Sequence, residues 1–219
     1  SLRVETSVFE FAQYFMNAIT QRRDAPGDDL LSMLIDPANG ETLSNNDLVS
    51  FAILLLVAGN ETTTNLIGNL VLALATNPEQ WDLLKADPSL VPAAIEEALR
   101  FDSPIQGFFR NTLNETEVRG VTIPADQKVM VLYGSANRDE RKYPDPDRFL
   151  LQRNPMDHVA FGSGIHLCLG APLARMEGAL FLKGLLSRVE RIELDGDVVR
   201  THNPLLRGVS HLPVRLVAR

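Results

Sequence analysis

Apolar residues near the start of the chain recur at the three- and four-residue spacing of an α-helix. The pattern predicts an amphipathic helix over residues 5–23. Its apolar positions are Val8, Phe11, Phe15 and Ile19. A turn-rich segment with the letters DAPGDD follows, and then a short helix over residues 30–35 that ends at an Asp-Pro pair.

The longest predicted helix begins at the letters SNND of residues 44–47, which form a capping box with serine as the N-cap. The apolar pattern then continues to about Thr76, which corresponds to roughly 45 Å at about 1.5 Å per residue. The letters GNETTT at 59–64 interrupt this pattern with poor helix formers. Two interpretations stay open: a break between two shorter helices, or one loosened turn in which a hydroxyl or a water replaces a backbone hydrogen bond.

The second half of the chain alternates between helical and strand patterns. Asn-Pro and Asp-Pro pairs delimit two more helices, and β-branched runs then indicate short strands. The predicted helices are 78–87, 89–102 and 169–190, and the predicted strands are 117–124, 128–133 and short tail segments that end in 212–217. The chain is therefore expected to be mainly α with minor β.

Composition and charge narrow the possible functions. The formal charge of −7 disfavours a general affinity for nucleic acid or for an anionic membrane, because both require a positive field. A single cysteine cannot form an internal disulfide. The first residues lack the pattern of a signal peptide, and the most apolar stretch, 51–58, is far shorter than the about 20 residues of a membrane span. We expect a soluble, cytoplasmic protein with no nucleic-acid partner and no membrane partner.

The single cysteine, Cys168, lies in the glycine-rich stretch HVAFGSGIHLCLGAPLARME, residues 158–177. A dinucleotide loop would need a third glycine where Leu167 stands, and no Gly-Lys-Ser/Thr follows. No protease-type signature surrounds the thiol, and His166 with Cys168 is only half of a zinc site. The remaining simple interpretation is a buried thiol that acts as a small apolar side chain.

The arrangement around Cys168 favours a further possibility. Glycines allow the backbone to approach a large flat group closely. A cysteine at a helix start faces unpaired N–H groups and the positive end of the helix dipole, which favour the thiolate. A thiolate offered from such a loop is a known axial ligand for haem iron.

The sequence from Phe161 to Gly170 resembles the cysteine-ligand loop of the cytochrome P450 family. The resemblance implies the C-terminal portion of the P450 fold: the long central helix, the Glu-x-x-Arg helix, the cysteine loop and the helix after it. It implies haem b as cofactor, with Cys168 as the axial ligand of the iron, and O2 as co-substrate. Further cofactor contacts are implied for His166, Arg110, Phe161, Gly162, Gly164 and Gly170. His166 and Arg110 fall where the family contacts the haem propionates.

Two other motifs match the family. The letters EALR contain Glu97 and Arg100 at a spacing of three, which places them on one helix face. With Arg148 of the letters PDRF they resemble the structural triad that braces the core beside the haem. The letters AGNETT at 58–63 resemble the oxygen-binding groove, in which Thr62 would hydrogen-bond dioxygen and Glu61 would help to relay protons. The expected substrate-lining residues are Ala58, Thr62, Ile105, Gln106 and residues 206–209, Val209 included.

The resemblance also implies a monooxygenase that hydroxylates or epoxidises an apolar small molecule, with electrons from a ferredoxin-type partner. That partner would dock on the cysteine side, with Arg175 as a contact by analogy. Because family members are about twice as long, residues 1–219 are expected to form one partial domain, the haem-binding C-terminal half. The long helix, apolar on nearly all sides, would pair with the missing half or with itself. The alternatives are a haem-binding or interaction fragment without turnover and a helical module with a structural cysteine.

Overall fold

α-Helices make up most of the regular structure in the computed structural model, which describes residues 2–40 and 43–219. Ser1, Glu41 and Thr42, which belong to the predicted domain 1–219, lie outside the described residues. The chain divides into two compact units, residues 1–60 and residues 61–219. No helix in the described ranges is both long and apolar enough to cross a membrane.

The first unit contains α1 (Leu2–Asp24), α2 (Leu30–Ile35) and the beginning of α3 (Asn45–Thr76). The predicted capping box precedes α3: the Asp47 amide donates to Ser44 Oγ at 3.2 Å, and the Ser44 amide donates to the Asp47 carboxylate at 3.3 Å. The core of this unit consists of four buried residues, which are Ile19, Ile35, Leu48 and Val49.

The second unit holds the remainder of α3 and four further helices, and all of them except the shortest contribute to one apolar core. These helices are α4 (Pro78–Ala86), α5 (Val91–Phe101), α6 (Tyr133–Ala136) and α7 (Ala171–Leu186). Where α5 packs on α7, Gly178 gives room to Ile95, since a Cβ at this glycine would lie 3.1 Å from Ile95 Cδ1. Core residues include Leu66, Leu70, Leu74, Trp81, Ile95, Leu99, Phe149 and Leu182.

Among the described residues the strands form four antiparallel pairs, all in the second unit. These pairs are β1 (Gly107–Asn111) with β4 (Lys128–Leu132), β2 (Thr116–Val118) with β3 (Val121–Ile123), β5 (Val189–Leu194) with β8 (Val214–Ala218), and β6 (Val199–Arg200) with β7 (Val209–His211). Each pair is short, so the sheets serve mainly to hold loops beside the helices.

The prediction of a mainly α fold with minor β is confirmed, and three local differences are informative. Residues 59–64 lie within α3, so the interpretation as two separate helices is wrong. Helix α7 ends at Leu186 rather than 190, because Val189–Leu194 pairs with the last strand. Strand β1, which carries Arg110, was not predicted, because its letters GFFRN do not alternate between apolar and polar residues.

Candidate active site

Cys168 lies in a tight loop immediately before α7. The loop contains a 3-10 turn at Gly164–His166, and its glycines Gly162 and Gly164 have φ values of +74° and +61°, a region that favours glycine. The Cys168 amide donates a hydrogen bond of 2.9 Å to the Phe161 carbonyl oxygen. The glycines thus permit the turn, and this hydrogen bond fixes the cysteine against the residue that opens the loop.

The thiol of Cys168 is exposed, and apolar side chains beside it in the loop are exposed as well. The interpretation as a buried structural thiol is therefore wrong. Ile165 is 97% exposed and Leu169 is 79% exposed. Over residues 2–40 and 43–219, no group of three His, Cys, Asp or Glu side chains could hold a metal ion, so a zinc site lacks its further ligands there. A thiol surrounded by exposed apolar side chains is typical of a ligand-binding surface.

The loop fits a flat iron macrocycle both in shape and in donor chemistry. A Cβ built on Gly164 would meet nothing within 4 Å, so open space lies over this part of the loop. A Cβ on Gly170 would lie 3.9 Å from Cys168 Sγ, so a larger residue there would begin to crowd the thiol. One cysteine sulfur at the start of a helix, with open apolar surface around it, is a donor that haem iron accepts.

Arg110 is held close to this loop by a tyrosine that the sequence reasoning missed. Its Nη2 donates to the Tyr133 hydroxyl at 3.3 Å. A Cβ on Gly162 would lie 3.8 Å from the same hydroxyl and 3.1 Å from the His166 carbonyl oxygen. The structure therefore brings Arg110 and the loop containing His166 to one side of the site. Tyr133 ends a strand pattern in the sequence, and nothing there indicates its contact with Arg110.

The oxygen-groove residues Glu61 and Thr62 lie on α3, where Glu61 is exposed and Thr62 is half-buried. One turn further along the helix, the side-chain amide of Asn65 is buried, and its Nδ2 has no hydrogen-bond partner among the described residues. Buried polar groups normally have a partner. The Asn65 amide is packed against the tail of the chain, since a Cβ on Gly208 would lie 1.9 Å from its Oδ1.

The predicted substrate-lining residues after α5 and before β7 come together. Ile105 pairs with Leu206 in an isolated antiparallel bridge, and the Gln106 amide donates to the Leu205 carbonyl at 2.7 Å. Val209 packs against α3, since a Cβ on Gly68 would lie 2.8 Å from its Cγ2. Ala58 lies in the other compact unit and is exposed there.

The Glu-x-x-Arg pair is buried as predicted, but the triad requires a correction at its third member. Arg100 forms two hydrogen bonds of 2.8 Å with Glu97. Arg148 contributes only its backbone carbonyl, to Arg100 Nη2 at 3.1 Å, and the residue is exposed. The second guanidinium on Glu97 comes from Arg153, whose Nε lies 3.2 Å from Glu97 Oε1. The sequence spacing could not distinguish two arginines only five residues apart on one loop.

A second buried carboxylate, Glu96, was also missed. Arg175 contacts it through Nε at 2.6 Å and Nη2 at 2.9 Å, and His158 Nε2 lies 3.0 Å away. Burial would raise the pKa of Glu96, but the hydrogen bonds from His158 and Arg175 outweigh burial and lower it to about 2. Arg175, expected at a partner-docking surface, is thus already engaged by a buried carboxylate.

Comparison with known proteins agrees with this geometry. A sequence model of the family Cytochrome P450 matches residues 80–213. Cytochrome P450 107B1 of Saccharopolyspora erythraea is 45% identical over 208 residues, which cover 93% of this chain and 51% of that protein. The 6-deoxyerythronolide B hydroxylase of the same organism is 43% identical over 213 residues, covering 94% and 52%. The structure of cytochrome P450 CYP109Q5 from Chondromyces apiculatus superposes with a TM-score of 0.94 at 44% identity, covering 100% of this chain and 57% of that one.

The chain belongs to the cytochrome P450 family, whose members hold haem iron and use O2. It spans about half the length of the curated relatives that it matches. The segment that matches the family model includes Cys168 and the loop around it.

Proposed function

We propose that this chain is the haem-thiolate half of a monooxygenase that inserts one oxygen atom of O2 into an apolar small molecule, by hydroxylation or epoxidation. One observation supports this most strongly. The exposed Cys168 thiol lies at the start of α7, in a glycine-bounded loop with exposed apolar side chains. In this proposal residues 1–219 form one partial domain, and a second segment completes the pocket.

Cys168 would hold the iron of haem b through its thiolate. Gly162, Gly164 and Gly170 would admit the macrocycle to the loop, beside the Phe161 ring. Arg110 and His166 would bind the propionates through charge-assisted hydrogen bonds. When bound, the haem supplies the redox chemistry that activates dioxygen.

The residues of α3 would control protons. Thr62 would donate a hydrogen bond from Oγ1 to dioxygen and so orient it. Glu61, an exposed residue next to Thr62 on the helix, would help to relay protons towards it. Ile105, Gln106 and Val209 would contact the substrate and exclude water from its reacting carbon. Ala58, in the other compact unit, stays a predicted substrate contact.

Electrons would come from a ferredoxin-type protein that docks on the surface beside Cys168. Arg175 is 37% exposed in its side chain, so part of its guanidinium reaches this surface although Glu96 binds it. A cytoplasmic location stays a prediction.

A haem-binding fragment without turnover is the second candidate function. The exposed apolar side chains of α3, which are Leu54, Leu56 and Val57, favour it, because such a surface is typical of an interface that needs a partner. In that case Cys168 would bind haem, but no closed substrate pocket would form.

The test is the absorption spectrum of the purified chain with haem, reduced with dithionite and exposed to carbon monoxide. The proposal expects the strongly red-shifted Soret band of thiolate-bound haem, and expects Cys168→Ala to lose it. Absence of that band in the unaltered chain would contradict the haem-thiolate assignment. If the band is present, oxidation of an apolar probe with a ferredoxin and its reductase separates the monooxygenase from the fragment without turnover.

A further inference from the structure

Glu96, in the middle of α5, forms a buried ion pair. Its side chain is 4% exposed, and Arg175 contacts both of its oxygens at 2.6 and 2.9 Å. His158 Nε2 approaches one of these oxygens at 3.0 Å. One carboxylate therefore binds two partners, His158 from a loop and Arg175 from α7.

Arg175 in turn contacts the loop that carries the thiol. Its guanidinium carbon lies 4.7 Å from the centre of the Phe161 ring, a cation–π distance, and the His158 ring lies 5.8 Å from the same ring. The carbonyl of Phe161 accepts the Cys168 amide at 2.9 Å. An unbroken set of contacts thus leads from the Glu96 carboxylate to the backbone of the cysteine.

We propose that Glu96 is a positioning residue for Cys168, which it fixes by holding Arg175 and His158 against Phe161. The relevance of this role to iron ligation rests on the proposed function. The positioning itself is a property of the chain and can be measured without haem.

Apolar contacts also pack the two helices together: Ile95 packs against Gly178, and Leu99 and Leu182 are buried in the core. A buried ion pair adds little net stability compared with apolar packing, and one known use of such a pair is to specify position. The hydrogen bonds keep Glu96 ionised, with a pKa of about 2, so this ion pair persists at pH values well above 2.

The experiment compares hydrogen exchange at the Cys168 amide in the full haem-free chain and in Glu96→Gln. We expect exchange to be about tenfold faster or more in the variant, because one partner of a buried ion pair is lost and the loop opens locally. The amide of Leu182, in the core of α7, reports the loss of global stability and should also exchange faster. Arg153→Gln, which removes a different buried contact of α5, that to Glu97, is the matched control: it should accelerate exchange at Leu182 but leave the Cys168 amide, which exchanges by local opening of the loop, unchanged. Arg175→Gln should reproduce the effect of Glu96→Gln. Glu193→Gln, which removes the same charge from a partly exposed cluster with Arg191 and Arg215, should leave exchange at Cys168 unchanged.

Two results would overturn the proposal: unchanged exchange at Cys168 in Glu96→Gln, or equal acceleration at Cys168 in Glu96→Gln and in Arg153→Gln, which indicates general destabilisation. A second readout uses the haem-loaded chain. Glu96→Gln should shift the reduction potential and weaken the red-shifted ferrous–CO band, whereas Glu193→Gln should not. If the unaltered chain gives no such band, the proposed function fails, while the exchange measurement still decides whether Glu96 positions the loop.

Discussion

Arg100 binds Glu97 through two hydrogen bonds of 2.8 Å, and both side chains are completely buried. Arg100 also donates from Nη1 to the carbonyls of Asn137 and Pro146, at 3.0 and 2.9 Å. One guanidinium therefore ties α5 to the loop that leads towards the cysteine. Because its donors have partners, the desolvation of two charges is offset by well-formed hydrogen bonds.

Removal of this guanidinium should strongly destabilise the fold. We expect Arg100→Gln to lower the free energy of unfolding by about 3–5 kcal/mol, because it leaves the Glu97 charge buried with one partner fewer. Urea unfolding followed by circular dichroism measures the change. Arg191→Gln, in an exposed pair with Glu193, serves as the control and should cost less than about 1 kcal/mol. Equal losses for both variants would contradict the structural role of the buried pair.

The two candidate arginines of the triad should behave differently. Arg153 is 10% exposed and contacts Glu97, whereas Arg148 offers only its backbone carbonyl. We expect Arg153→Gln to cost about 1.5–3 kcal/mol, the range for hydrogen bonds to a charged group. Arg148→Gln should stay within about 0.5 kcal/mol of the unaltered chain. A larger loss of unfolding free energy for Arg148→Gln than for Arg153→Gln in the same assay would restore Arg148 as the third member of the triad.

Glu96 should make the stability of the fold depend on pH in the acid range. Burial would raise its pKa, but His158 and Arg175 lower it from 4.5 to about 2. A carboxyl group whose pKa is lowered in the folded state stabilises that state. Its contribution is fully present above its pKa in the unfolded chain, about 4.5, and is lost as the pH falls towards about 2. We expect Glu96→Gln to be less stable than the unaltered chain by about 2–3 kcal/mol near neutral pH. This difference should shrink towards zero as the pH approaches 2.

Denaturant unfolding at a series of pH values measures that difference. Glu177→Gln, an exposed carboxyl on α7, is the control and should stay within about 0.5 kcal/mol throughout. A difference between Glu96→Gln and the unaltered chain that stays constant from neutral to acid pH would show that the carboxyl does not titrate as its contacts require.

Gly107 should tolerate no side chain, because β1 lies against β4 at this point. A Cβ there would come within 2.4 Å of the Val131 carbonyl oxygen, which belongs to backbone and cannot move freely. We expect Gly107→Ala to lower the free energy of unfolding by about 1–3 kcal/mol, the usual cost of overpacking. Gly184→Ala is the matched control: no atom lies within 4 Å of its Cβ, and alanine there should stabilise α7 by up to about 1 kcal/mol. Thermal unfolding of both variants distinguishes a steric effect from a propensity effect.

The helices were predictable because their signals are local. The capping box at Ser44 and the Asn-Pro and Asp-Pro pairs mark helix ends through contacts within a few residues, and the structure has helix ends there. The sequence did not predict strand β1 and placed the end of α7 too late. β1 pairs with β4, and β5, the strand that follows α7, pairs with β8, so each strand depends on a partner outside its own segment. A strand is defined by its partner as much as by its own residues.

For the site, the sequence by itself determined the chemistry, because Cys168, its glycines and its apolar neighbours are adjacent in the chain. Only the tertiary structure decided which distant groups support that loop. It placed Tyr133 against Arg110, Arg153 rather than Arg148 on Glu97, and the Glu96–Arg175 pair beside Phe161. The reason is physical: a buried charge takes whichever partner the fold brings within hydrogen-bond distance, and no spacing along the chain specifies that partner.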